Sequence, residues 1–265
     1  MYLEYWGFNI MPFNNAPDPR FFFESEGHKE AVTRLLFAIQ SKKAFTLLTG
    51  DYGSGKTVVC ETVISQLPQE KFKVAFITNP RLDALDLSRE IAYKLGEEVA
   101  ARSMYDTLHV VNNLLERHAA TGKHCVVMID EAQLILNTNV LEDIRLLLNH
   151  HRAGGFLLTL VLVGQTEFGD MLKSIPQMVQ RIALKYHIKN LQPAELQPYI
   201  LSRIKLAGGR DNLFDQTAFD EIARYSKCNP REINAICDLA LLIGCLTEAR
   251  QITAKEVSEA INERQ

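Results

Sequence analysis

The stretch GDYGSGKT, Gly50 to Thr57, fits the phosphate-cradling pattern G-x-x-x-x-G-K-[ST]. The apolar run AFTLLT, residues 44–49, precedes it, and TVVCETVISQL, residues 57–67, follows it as an expected helix. Strand, glycine loop and helix in that order make an anion site, because backbone N–H groups and the positive end of a helix converge on one point. Gly53 and Gly55 let the backbone wrap phosphates, Lys56 brings a charge to the β- and γ-phosphates, and Thr57 offers a hydroxyl to Mg2+. Gly50, Asp51, Tyr52, Ser54 and Val58 complete the expected nucleotide-binding loop. Such a loop serves metabolic kinases, switches and motors alike, so the remainder of the chain has to choose among them.

Working outward, apolar runs alternate with helical periodicity. KVAFIT (73–78), CVVMID (125–130), LLTLVLVG (157–164) and ALKYHI (183–188) read as further strands. LDLSREIAYKL (85–95) reads as a helix with Leu87, Ile91 and Leu95 on one face. TLHVVNNLLERHA (107–119) does the same with Leu108, Val111 and Leu115, and LEDIRLLLNH (141–150) follows the third strand. Before the loop, residues 25–41 align Val32, Leu35, Leu36 and Ile39. Continuous apolar strands separated by helices predict a parallel sheet covered on both faces. From about residue 190 the strands stop. PAELQPYILSRIKLAGG, QTAFDEIARYS, PREINAICDLALLIGCL and TAKEVSEAINE all read as helices, the last with a capping box at Thr253 and Glu256. An α/β domain over residues 1–190 and a helical domain over 191–265 are expected. Residues 1–24, rich in aromatics and prolines, are expected to lie as irregular chain against the surface of the first domain.

Five further positions carry chemistry. Asp130 and Glu131 end the third strand, where Asp130 can hold Mg2+ through water and Glu131 can take a proton from an attacking water. A base for water speaks against a small-molecule kinase, which has to exclude water. Gln165 follows the fourth strand in LVLVGQTEF and could orient that water. Arg181 stands just before the fifth strand, and Arg231 opens a helix of the second domain. A cation at a helix start opposes the helix dipole, and a bound triphosphate would reverse that balance.

With 265 residues, 47% hydrophobic and 23% charged, the composition is that of an ordinary globular protein. The net charge of -3 gives no general support for nucleic acid, although a local patch such as Lys42-Lys43, Lys71/Lys73 and Arg81 leaves DNA open. No signal peptide is legible at the N-terminus, and the longest apolar runs fall far short of the roughly 20 residues of a spanning helix. A cytoplasmic protein is expected. The five cysteines form no C-x-x-C pair and read as small buried hydrophobes. His150-His151, the only histidine cluster, is not expected to bind metal, because helix neighbours point apart.

In order along the chain, MYLEYWGF…PF…PDPRFFF…H…A, LLTGDYGSGKT, VVMIDEAQ, LVLVGQTEF, QRI…YHI…L and PREINAICDLALL resemble the AAA+ ATPases of the ExeA/GspA type, the type of the general secretion pathway component A. The resemblance covers about residues 1–260. It implies a P-loop NTPase with a parallel sheet in the order 5-1-4-3-2, a helical lid, ATP as substrate with Mg2+, and ATP-dependent assembly into a homo-oligomeric ring, a hexamer by family habit. It gives Gln165 the sensor-one position, Arg181 the arginine-finger position acting in trans, and Arg231 the sensor-two position. Cys228 stands where the family usually has glycine, so the turn before Arg231 has to be built without one. The chain stops near the end of the lid, which implies a stand-alone ATPase without the membrane and cell-wall parts of the secretion proteins. Its expected role is assembly of a secretion or pilus apparatus. The alternative is an ATP-dependent DNA-binding switch that recruits a transposase, told apart by salt-dependent DNA binding.

Overall fold

The computed structural model describes residues 2–100, 103–135, 137–148, 151, 152 and 155–264. His150 of the histidine pair, and the end of the helix expected over 141–150, lie outside the described residues. The chain forms two compact units. One, the sheet unit, comprises Lys29–Tyr52 and Val59–Ile188. The other, the helical unit, comprises the chain up to His28, Gly53–Val58, and everything from Lys189 on.

The strands are β1 (Phe45–Gly50), β2 (Phe72–Ile77), β3 (His124–Ile129), a two-residue pair β4 (His151–Arg152) and β5 (Gly155–Phe156), β6 (Leu158–Gly164) and β7 (Ile182–Ile188). The five long strands form one sheet in the order β2-β3-β6-β1-β7, and every pairing in it is parallel. Counted among the long strands alone, this is the expected order 5-1-4-3-2 read from the other edge. The three central strands β1, β3 and β6 are buried at every residue, whereas edge strand β7 alternates. Burial on both faces is why their sequences read as unbroken apolar runs.

Helices of the sheet unit are α2 (Glu26–Gln40, from Lys29), α3 (Lys56–Gln66, from Val59), α4 (Ala84–Leu95), α5 (Met104–Ala120), α6 (Thr138–Leu147), α7 (Thr166–Leu172) and α8 (Pro176–Val179). Leu87, Ile91 and Leu95 of α4 join Val111 and Leu115 of α5 and Leu141 and Ile144 of α6 in one core with Val127 and Ile129 of β3. Asp83 and Ser103 cap α4 and α5, and Gly96 ends α4 in the left-handed region. Helices α7 and α8 have no clear periodicity in the sequence because each is under two turns long. His124, at the start of β3, is buried, and its Nε2 lies 2.8 Å from Thr159 Oγ1.

The helical unit packs α9 (Pro193–Leu206), α10 (Gln216–Ser226), α11 (Pro230–Leu246) and α12 (Ala254–Asn262) around the apolar face of α11. The capping box of Thr253 and Glu256 is formed. Here the packing differs from the expectation for residues 1–24. They begin with a short helix, α1 (Tyr2–Trp6), and they enter the core of the helical unit through Tyr2, Trp6, Phe8 and Phe13. Trp6 is 3% exposed, and its Nε1 donates to the Leu241 carbonyl of α11 at 2.9 Å. Gly244 is what lets the indole approach, since a Cβ there would lie 2.9 Å from Trp6 Cζ2. Arg203 of α9, itself buried, donates to the Pro12 carbonyl at 2.7 Å and the Asn14 carbonyl at 2.9 Å and lies over the Phe21 ring. A buried guanidinium needs such acceptors, and here the segment's backbone supplies them.

Trp6→Ala should therefore cost about 3–5 kcal/mol of stability, the usual loss for a buried aromatic. Denaturant unfolding would measure it, and a loss below about 1 kcal/mol would mean the segment is only laid on the surface. A second expectation concerns acid. Burial, with Lys42 adding to it, pushes the His124 pKa from 6.5 down to about 4. Between those values the unfolded chain binds more protons than the folded one. Stability is thus full above about pH 6.5 and falls as the pH drops toward 4, by up to about 3 kcal/mol from this residue. His124→Gln should flatten that slope in unfolding experiments across this range; an unchanged slope would assign it to other groups.

Candidate active site

Parallel strands end at one edge of the sheet, so β1, β3 and β6 deliver their C-terminal residues together. The register sets Ile129 opposite Leu162 and Thr49 opposite Gly164. Asp130, Gln165 and Gly50 therefore emerge at the same edge of the sheet unit. Asp130 is 1% exposed, and one of its oxygens accepts the Glu131 N–H at 2.8 Å. Glu131 has φ 52, a left-handed conformation that costs a non-glycine residue about 1–3 kcal/mol and is met at functional sites. Its carboxylate accepts a hydrogen bond from Gln133 Nε2. The other end of the Gln133 amide, Oε1, accepts the Gln165 N–H at 3.1 Å. Next in the chain, the Thr166 hydroxyl donates to Asp51 at 3.1 Å. A line of hydrogen bonds thus runs along this edge from Glu131 through Gln133 to the end of β6, and from Thr166 to the residue after β1. Gln165 is the N-cap residue of α7 but makes no side-chain cap bond.

The glycine loop from Gly53 on is part of the helical unit. Gly53 and Gly55 have φ 77 and φ 89 and flank Ser54. Alternation of this kind turns successive N–H groups to one side, as an anion-binding nest requires. Neither glycine has room for a side chain. A Cβ on Gly53 would lie 2.7 Å from both Arg231 Cβ and Asn229 Oδ1, and one on Gly55 would lie 2.8 Å from His28 Nε2. Ser54 Oγ is buried and has no hydrogen-bond partner. Lys56, 6% exposed, is the first residue of α3, where a cation works against the helix dipole unless an anion is bound. These features fit a phosphate chain. Thr57 follows Lys56 in the helical unit, and its hydroxyl, like the carboxylate of Asp130 in the sheet unit, is a hard oxygen donor of the class that Mg2+ accepts.

Arg231 is brought to the loop, and its backbone N–H points at the Gly53 carbonyl at 3.4 Å as well as at its own N-cap, Asn229 Oδ1, at 3.0 Å. The turn before it answers the substitution of glycine. Lys227 and Cys228 both hold positive φ, 48 and 58, so cysteine keeps the left-handed conformation that glycine favours. The Leu191 N–H donates to the Cys228 carbonyl at 3.1 Å and holds the turn.

Arg181 is placed elsewhere. Ile182, the first residue of β7, is paired with Phe45 at the start of β1, while Ile188 is paired with Gly50. Arg181 therefore stands at the opposite edge of the sheet from Gly50, five residue steps or about 17 Å away along the strand. It borders a cavity of about 650 Å3 together with Lys42, Lys43, Phe156 and Gln180. Sequence reasoning missed Gln133, Asn229 and His28. The run DEAQ held Gln133 in plain view, but nothing local marks its two-sided bond. Among the described residues no helix is long and apolar enough to cross a membrane, and no three His, Cys, Asp or Glu are grouped to hold a metal by themselves.

Comparison with known proteins adds the following. A model of the AAA domain family matches residues 39–172. General secretion pathway protein A of Aeromonas hydrophila is 35% identical over 271 residues, covering 99% of this chain and 48% of that protein. The chain thus spans about half the length of that relative. Among solved structures, the ORC2 protein of Aeropyrum pernix, in ADPNP-ADP complexes, superposes with a TM-score of 0.70 at 17% identity, over 94% of this chain and 72% of that one. The RuvB Holliday junction branch migration motor of Thermotoga maritima gives 0.58 at 21%, over 91% and 70%. At such identities these two speak for the fold alone: an α/β P-loop architecture with five parallel strands and a helical C-terminal part.

Proposed function

The chain belongs to the AAA domain family, and from that premise we propose that it is a Mg2+-dependent ATPase that works as an assembly factor, in the cytoplasm, for a secretion or pilus apparatus. The observation that carries the nucleotide is the glycine loop, whose two left-handed glycines admit no side chain and whose Lys56 opens a helix. The secretion context is supported by the 35% identity to general secretion pathway protein A.

In this proposal Gly50 to Val58 cradle the phosphates, with Lys56 at the β/γ-bridge and Arg231 adding charge from the start of α11. Thr57 and Asp130 hold Mg2+, in part through water. The metal, when bound, neutralises charge on the phosphates and polarises them. Glu131 accepts the proton of the attacking water, and Gln133, which already donates to its carboxylate, keeps that oxygen aimed. Gln165 orients the water from the end of β6. Arg181 stands at the wrong edge of the sheet to reach the end of its own β1. If it meets a γ-phosphate, that phosphate belongs to a neighbouring copy. This placement supports an ATP-dependent homo-oligomer, a hexameric ring by family habit.

Two substitutions separate binding from chemistry. Lys56→Ala should abolish ATP binding in calorimetry, and near-normal affinity would sink the assignment of the loop. Glu131→Gln should bind ATP and hydrolyse it about 10²–10⁴ more slowly, the usual cost of losing a general base. Unchanged turnover would hand the proton to another group.

Arg181→Ala should bind ATP normally and hydrolyse it poorly, by about 10³-fold or more if the arginine acts as a finger. Mixing Arg181→Ala with Lys56→Ala subunits should restore part of the activity, because some junctions then pair an intact loop with an intact arginine. Gel filtration has to show first that mixed assemblies form. Mixed assemblies that stay inactive would show that Arg181 does not act across a junction.

A further inference from the structure

Two carbonyls in the glycine loop are held from behind by the helical unit. His28 Nε2 lies 2.8 Å from the Ser54 carbonyl oxygen, and the Arg231 N–H reaches the Gly53 carbonyl at 3.4 Å. In a trans peptide the C=O and N–H point in opposite directions. Pinning the Ser54 carbonyl therefore aims the Gly55 N–H away from His28. Pinning the Gly53 carbonyl does the same for the Ser54 N–H. These are the N–H groups that a nest presents to an anion.

The histidine is itself fixed in one tautomer. A carbonyl accepts only, so Nε2 carries the hydrogen and Nδ1 is left as an acceptor. Nδ1 lies 2.6 Å from Ser25 Oγ, which supplies its hydroxyl hydrogen and in turn accepts the His28 N–H at 3.2 Å. Both residues are buried, His28 at 7% exposure and Ser25 at 3%. The Phe22 ring meets the imidazole edge to face. Burial lowers the His28 pKa, against the Ser54 carbonyl and the Glu195 carboxylate, which raise it, so the ring stays neutral. Glu195 also ties the frame together: its carboxylate accepts the Glu26 N–H at 2.9 Å and the Gln192 N–H at 2.8 Å, joining the start of α2 to the start of α9. The ring also fills the space that a Cβ on Gly55 would need.

We propose that His28 is a positioning residue of the nucleotide site: it holds the Ser54–Gly55 peptide with its N–H toward the phosphates, and so couples the buried N-terminal segment to nucleotide affinity. This deepens the proposed ATPase function and rests on the glycine loop being its phosphate site. The effect lies in binding, because His28 touches backbone and no reacting atom.

The test is ADP binding by calorimetry, with thermal unfolding of the nucleotide-free protein alongside. His28→Phe keeps a ring of similar bulk and loses the donor. It should weaken ADP about tenfold, as one lost, well-aligned hydrogen bond would, while the nucleotide-free protein still unfolds in one cooperative transition at a lowered midpoint, because the buried Ser54 carbonyl loses its donor. His28→Gln, which returns an N–H donor at similar reach, should recover most of that loss; a merely structural role would not be rescued by a smaller polar side chain. Wild-type affinity in His28→Phe, with Lys56→Ala unable to bind, overturns the proposal and leaves the loop assignment standing. Unchanged binding in both variants overturns the loop assignment itself. Should His28→Phe fail to fold, Ser25→Ala decides: it frees the imidazole to turn while keeping it in place. A several-fold loss of ADP affinity then supports the proposal, and an unchanged affinity overturns it.

Discussion

Parallel strands cannot be joined by a tight turn, so each long strand but the last is followed by a helical crossover, and all five end at one edge. Everything chemical in the sheet unit descends from that constraint. Three neighbouring central strands, β3, β6 and β1, end in Asp130-Glu131, Gln165 and Gly50. Their order in space, not in sequence, brings the acidic pair next to the glutamine and the glutamine next to the chain that enters the glycine loop. The hydrogen bonds of Gln133 lie across this edge and join Glu131, just after β3, to Gln165, which is 32 residues from Gln133 in sequence and just after β6.

The loop itself obeys a different constraint. Two left-handed glycines around Ser54 fix which way successive peptides face, and no other residue fits where they stand. A bare nest of this kind is costly to hold without its anion, because it gathers N–H dipoles of one sign. The helical unit offsets this by engaging the opposite face of the same peptides, through a neutral histidine and the start of α11. The left-handed turn at Lys227-Cys228 belongs to the same frame. It sets Pro230 and Arg231 against the loop and is maintained with a side chain where glycine would be less strained.

The parts of this structure that depend on local chemistry were legible in the sequence. The glycine loop and the central strands announce themselves, since a strand buried on both faces has to be apolar throughout. The acidic pair was legible because it ends such a strand. The aromatic segment was misplaced for a physical reason. Its rings show that it is buried, but what buries them, Leu241 and Gly244 of α11 and Arg203 of α9, lies about two hundred residues away with no periodicity linking the two. His28 was hidden in the same way. A lone histidine in an amphipathic helix reads as a surface or core residue, and only the fold shows that its ring faces Ser54. Gln133 and Arg181 differ again: both were visible, but a side chain's reach is not.

Arg181 turns the sheet's polarity into a statement about assembly. The edge that gathers Asp130, Glu131 and Gln165 is defined by strand ends, whereas Arg181 precedes a strand and so stands at the edge of strand starts. No rotamer of a side chain crosses the length of β1 within one chain. An arginine that serves catalysis from there needs a second copy to bring its glycine loop to this edge. Lys42 and Lys43 border the same cavity as Arg181. In the proposed mechanism the base and the water-orienting amide belong to one subunit and the stabilising charge to the next. On that proposal, hydrolysis would be switched on by assembly and not by nucleotide binding alone, which is the coupling an assembly factor requires.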